Sequence, residues 1–198
     1  MLPLTPFLPW TRAAASDTAA LLGRLLAGDP SALDALYRRE AGAVYRYAMA
    51  MAGDAAAAAD ATHDAFVALA TRPSGFDAAR GELGAYLAGI ARHSLLALRR
   101  TALEPLDDAH DGAAAPLEAS PEALQVRRQG HEALWRAIRA LPWAQREALV
   151  LVDLQERPYQ QAAAIAGCEL NTLRTRLHRA RQRLAALLGQ VRQELPHE

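Results

Sequence analysis

The chain has 198 residues, and its 22 basic residues, all arginine, balance 22 acidic ones to a formal net charge of zero. At 52% hydrophobic residues it can bury a core, which excludes wholesale disorder, and no apolar run approaches the roughly 20 residues of a membrane helix. A single cysteine, Cys168, excludes an intrachain disulfide and a cysteine-rich zinc module.

Residues 1–16 contain Pro3, Pro6 and Pro9 with Phe7 and Trp10, and read as an irregular arm. They lack the basic start and apolar stretch of a signal peptide, so a cytoplasmic protein without membrane insertion is expected. Residues 17–27 form a short helix with Asp17 as N-cap. Asp29-Pro30 restarts the helix, and Leu33, Leu36, Tyr37, Val44, Tyr47 and Met51 recur at helical spacing as far as Gly53. Asp54 caps a third helix over residues 55–71, which Pro73-Ser74-Gly75 ends. Leu83, Tyr86, Leu87, Ile90, Leu95 and Leu98 mark a fourth helix that stops near Arg100. Residues 101–128 hold Pro105, Pro116, Pro121 and a run of acids, and read as a linker. Helices resume near His131, break at Pro142, and continue over residues 144–155. No stretch alternates with a strand period. The fold class is therefore all-α: two small helical domains, residues 17–100 and 129–190, joined by an acidic linker and followed by a tail over residues 191–198.

The neutral total is an average over unlike parts. Residues 101–126 carry six acids and no arginine, whereas residues 170–192 carry six arginines and no acid. Such asymmetry is informative where net charge is not.

The last helices carry the clearest chemistry. Residues 159–166, the turn Gly167-Cys168 and residues 170–188 read as helix, tight turn, helix. Gly167 supplies the positive φ that leaves the first helix. Leu170, Leu173, Leu177, Ala180 and Leu184 share one face of the second helix, and Asn171, Arg174, Thr175, His178 and Arg179 share the other. One face packs; the other offers donors suited to a major groove, where Arg pairs bidentately with guanine and Asn with adenine. Arg176, Arg181 and Arg183 lie near enough for phosphates. This is a helix-turn-helix whose second helix reads DNA.

The ordered set of segments resembles the bacterial RNA polymerase sigma factors of the extracytoplasmic-function (ECF) group. "PYQQAAAIAGCELNTLRTRLHRARQRLAALL" resembles their region 4, and "ALPWAQREALVLVDL" the helix pair before it. "DPSALDALYRREAGAVYRYA", "ADATHDAFVAL" and "GELGAYLAGIARHSLLALRR" resemble region 2. The resemblance implies a protein that is not an enzyme. It binds core RNA polymerase, recognises −35 and −10 promoter elements of the DNA, and is restrained by an anti-sigma factor. It implies polymerase-facing roles for Asp60, His63 and Asp64, with Phe66 packed behind them. It implies −10 roles for Phe76, Tyr86, Arg92, His93, Arg99 and Arg100. In region 4 it implies base reading by Arg174, Thr175, His178 and Arg179, Arg176 near the phosphates, and phosphate held by backbone N–H groups at Asn171 and Thr172. The acidic linker then runs close to a basic channel of the polymerase.

Rival readings are weaker. Asp60, His63 and Asp64 have metal-ligand spacing but no further ligand group, so no metal or cofactor is expected. Thr62, between the two aspartates, is a candidate phosphorylation site that would add negative charge to this face. A DNA-binding regulator that does not dock on polymerase needs only the last helices and leaves the front half unexplained. No nucleophile–base pair or phosphate loop supports an enzyme.

Overall fold

The computed structural model describes residues 15–77, 81–101 and 122–194. They form eight α-helices and no strand: α1 (Ala15–Leu26), α2 (Pro30–Ala52), α3 (Ala55–Thr71), α4 (Leu83–Thr101), α5 (Glu122–Arg139), α6 (Trp143–Leu149), α7 (Tyr159–Ala166) and α8 (Leu170–Glu194). A 3-10 turn, Pro73–Gly75, precedes α4, and a π-helical segment, Val150–Leu154, continues α6. Residues 1–14 of the arm, 102–121 of the linker and 195–198 of the tail lie outside the described residues.

Local chemistry sets the early boundaries. Asp29 caps α2 by accepting from the Ser31 N–H at 2.9 Å, and Pro30 occupies a first-turn position whose N–H has no helical partner. Arg24, at the end of α1, clamps the same carboxylate at 2.9 and 2.7 Å. Gly53 closes α2 at φ 72°, its N–H donating to the Met49 carbonyl. Asp54 then caps α3 by accepting from the Ala57 N–H at 2.8 Å. A Cβ on Gly53 would stand 2.9 Å from Cδ of Arg139, so this turn also admits the end of α5.

Four boundaries differ from the sequence reading. Asp17 lies inside the first turn of α1, where its charge meets the positive end of the helix dipole. α5 begins at Glu122, within the stretch read as linker, because good helix formers follow Pro121 without interruption until Gly130. The helix expected over residues 144–155 is α-helical only to Leu149 and widens into the π segment. α8 runs on to Glu194.

α2, α3 and α4 pack around Leu36, Val44, Tyr47, Met51, Phe66, Leu69, Leu87 and Leu95, with Ala58, Ala61, Ala65, Ala88 and Ala91 allowing the helices close together. The back half packs around Ile138, Leu141, Leu149, Leu151, Ile165, Leu173 and Leu177, each worth about 1.5–3 kcal/mol when fully buried. The two halves also meet, chiefly α4 on α7 and α2 on the α6 segment.

That join is polar. Of the buried polar residues among those described, Glu40, Glu147, Gln155 and Arg157 lie there, and Thr62 alone does not. Gln155 donates to the Ala43 carbonyl at 3.1 Å and Arg146 to the Met51 carbonyl at 2.9 Å. Arg157 donates to Gln155 and Gln161 at 2.9 and 3.1 Å, and Gln161 donates to Glu82 at 3.0 Å. Burial pulls the Arg157 pKa down to about 10, against the pull of Glu82, Tyr47 and Glu40, so it stays charged at neutral pH.

Candidate polymerase and promoter surfaces

The turn between α7 and α8 is built on Gly167, at φ 60°, and the Cys168 N–H donates back to the Ala163 carbonyl at 3.0 Å. It aims α8 so that Leu173, Leu177 and Ala180 are buried while Asn171, Thr172, Arg174, Thr175, His178 and Arg179 are exposed. The division into packing and presenting faces is the one the leucine spacing requires. Arg176 is half-buried at the edge. Arg174 donates to the Asn171 side-chain oxygen at 3.3 Å, which holds two prospective base readers side by side. Arg181, expected near the phosphates, has an ion-pair partner within the protein. Its guanidinium is bidentate on Asp153, at 2.9 and 2.6 Å, a carboxylate from the π segment that raises the Arg181 pKa still further.

On α3, Asp60, His63 and Asp64 are all exposed, and Val67 extends the same face as an apolar neighbour 47% exposed. Val67 completes the i, i+3, i+4, i+7 pattern begun by Asp60. Phe66 is buried behind them, 4.7 Å from the ring of Tyr37, which is exposed on its outer side rather than enclosed in the core. Thr62 contradicts its assignment as a modification site. It points inward, is buried, and its hydroxyl donates to the Ala58 carbonyl at 2.7 Å, so no kinase can reach it in the folded helix.

The residues expected at the −10 element divide into two groups. Phe76 and Tyr86 lie 5.4 Å apart, and with His93 they line a cleft of about 420 Å³ whose far wall is Ala164 and Ile165 of α7. Gly75 packs closely beside them: a Cβ there would stand 3.0 Å from the Tyr86 hydroxyl, which would have to give by a few tenths of an ångström. Arg92 and Arg99 instead reach α6. Arg92 Nε donates to Glu147 Oε1 at 2.7 Å, and Arg99 lies 5.0 Å over the Trp143 ring. Arg100 is exposed at the end of α4. Tyr47 donates to the same Glu147 oxygen at 2.7 Å; burial and the facing carboxylate push its pKa well up. Sequence reasoning placed Tyr47 in the core but gave Glu147 and Trp143 no part in the site, because nothing local to α6 marks them.

Residues 36–103 match the Sigma-70 region 2 family, and residues 131–184 match Sigma-70, region 4. The chain is 32% identical over 142 residues to the ECF RNA polymerase sigma factor EcfG of Rhodopseudomonas palustris, covering 72% of this chain and 77% of that one. The chain belongs to the ECF RNA polymerase sigma factors. It is an alternative sigma factor that directs transcription initiation. The ECF sigma factor SigM of Mycobacterium tuberculosis is 34% identical over 179 residues, covering 87% of this chain and 85% of that one. Among solved structures, the sigma factor RpoE from Bartonella quintana, in complex with the anti-sigma factor NepR, matches with a TM-score of 0.62 at 25% identity. That match covers 79% of this chain and 96% of RpoE. The region 2 match therefore takes in most of α2 with α3 and α4, the region 4 match runs from the second half of α5 through α6 and α7 into α8, and the polar join described above lies between them.

Proposed function

We propose that the two exposed faces divide the work of initiation. Asp60, His63, Asp64 and Val67 on α3 dock on core polymerase, whose basic surfaces suit the two carboxylates. Asn171, Thr172, Arg174, Thr175, Arg176, His178 and Arg179 on α8 read the −35 element. Phe76 and Tyr86 take up an unstacked −10 base, with Arg92, His93, Arg99 and Arg100 along its strand; stacking on aromatics repays the few kcal/mol of unpairing. The observation that carries this reading is α8: Leu173, Leu177 and Ala180 are buried while its hydrogen-bonding face stays open to solvent.

The protein makes and breaks no covalent bond itself, and acting with polymerase on promoter DNA it works in the cytoplasm. Regions 2 and 4 act as separate units tied by the acidic segment, so two weak DNA contacts add through effective concentration. The RpoE relative is solved with an anti-sigma factor, and we carry that class of partner over to this chain.

The test separates docking from DNA reading. Asp60→Ala with Asp64→Ala should weaken binding to core polymerase while leaving binding to a −35 duplex unchanged. Loss of duplex binding with core affinity intact would reverse the assignment.

A further inference from the structure

We infer that α6 is a built-in mimic of the promoter strand that occupies the basic face of α4 when the protein is free. The inference rests on the −10 assignment above and goes beyond it. Arg92 and Arg99, two turns apart on α4, are both engaged by α6 side chains one turn apart, Glu147 and Trp143. The pairing copies the chemistry of a nucleic-acid strand. Glu147 offers Arg92 an anionic oxygen at 2.7 Å, as a phosphate would. Trp143 offers Arg99 an aromatic face at 5.0 Å, as an unstacked base would. The Arg92 side chain is only 17% exposed in this state, so a strand reaches it only by displacing Glu147. The Phe76–Tyr86 cleft is walled by α7 in the same arrangement.

The mimic is held firmly enough to form and loosely enough to leave. Tyr47 fixes the Glu147 carboxylate from the region 2 side, so the contact has a defined geometry. Yet Glu147 Oε2 and Trp143 Nε1 are buried with no hydrogen-bond partner among the described residues. A buried polar atom left unpaired opposes the state that buries it. A buried ion pair also adds little net stability, because both charges regain water on separation. Promoter strand and polymerase therefore compete for α4 against a contact that is poised to exchange.

The experiment uses the full-length free protein and a single-stranded −10 fragment from a promoter that the wild-type holoenzyme transcribes. Glu147→Gln removes the charge at constant shape, and Trp143→Leu keeps an apolar side chain without the π face. Each should bind the fragment about tenfold more tightly than wild type by fluorescence anisotropy, with equal affinity for a −35 duplex. Small-angle scattering should show a larger radius of gyration for the free variants. A third measurement leaves α6 and α4 untouched. With Trp10 and Trp135 changed to Phe, Trp143 emission should move to the red when the fragment is added. Unchanged affinities in the folded variants, or Trp143 emission indifferent to the fragment, would overturn the mimic. Failure of the wild-type holoenzyme to transcribe any promoter would instead overturn the functional assignment on which the mimic depends.

Discussion

Arg92 and Glu147 are 55 residues apart in the chain and 2.7 Å apart in space, and their contact joins region 2 to region 4. Neither side chain is isolated at that contact, since Tyr47 brings a second donor to the same carboxylate oxygen. The join thus ends on one acceptor shared by two donors from different helices of region 2.

Removing the Tyr47 hydroxyl should be felt by the whole fold. Tyr47→Phe keeps the ring and deletes only the bond to Glu147, so it should cost about 1–2 kcal/mol of unfolding free energy. Tyr47→Ala empties a site with no solvent exposure and should cost about 3–5 kcal/mol. Urea unfolding followed by circular dichroism measures both, and equal losses for the two variants would show that the hydroxyl, not the ring, carries the contribution.

On α8 the two arginine classes should separate. Arg174→Ala removes a prospective base reader and should weaken a −35 duplex by about 1–3 kcal/mol, relaxing specificity at one position. Arg181 is already spent on Asp153, so Arg181→Ala should change duplex affinity by less than threefold. Its exposed ion pair should add no more than about 1 kcal/mol to stability. Titrations of the variants against the same duplex at fixed salt decide between these outcomes.

Acid should test the corner between α1 and α2. The Ser31 hydroxyl, Arg24 and the Ser31 N–H together hold the Asp29 carboxyl down at about 2, against an ordinary value of 3.8. A carboxyl depressed by folding stabilises the protein fully above its unfolded pKa, and the contribution fades as pH falls through the folded value. Between about pH 4 and pH 2 the wild type should therefore lose thermal stability more steeply than Asp29→Asn, and the two melting curves should converge at the acid end. Parallel curves across that range would remove Asp29 from the account.

The helices and both presenting faces were legible because they rest on local signals. Asp29, Asp54 and Gly53 punctuate α2 and α3 by caps, and Leu173, Leu177 and Ala180 recur at helical spacing. The all-α class follows from the same signals. What was not legible is long-range. Glu147 and Trp143 acquire their importance only because α6 comes to lie against α4, and no periodicity within α6 announces that. The ion pair of Arg181 was hidden for the same reason: its partner Asp153 sits 28 residues earlier, in a π segment that reads as ordinary helix. Thr62 failed for a simpler one. A position two residues from Asp60 and from Asp64 lies on the opposite side of a helix, and there the hydroxyl is buried and bonded to Ala58.

The most direct measurement is promoter-specific initiation. Purified protein is mixed with core RNA polymerase and a promoter library, and the 5′ ends of the transcripts are mapped. The account predicts discrete start sites that appear only when the protein is present, that share −35 and −10 sequences, and that vanish with Asp60→Ala and Asp64→Ala combined. Transcripts no different from those of core polymerase alone, across the whole library, would contradict it.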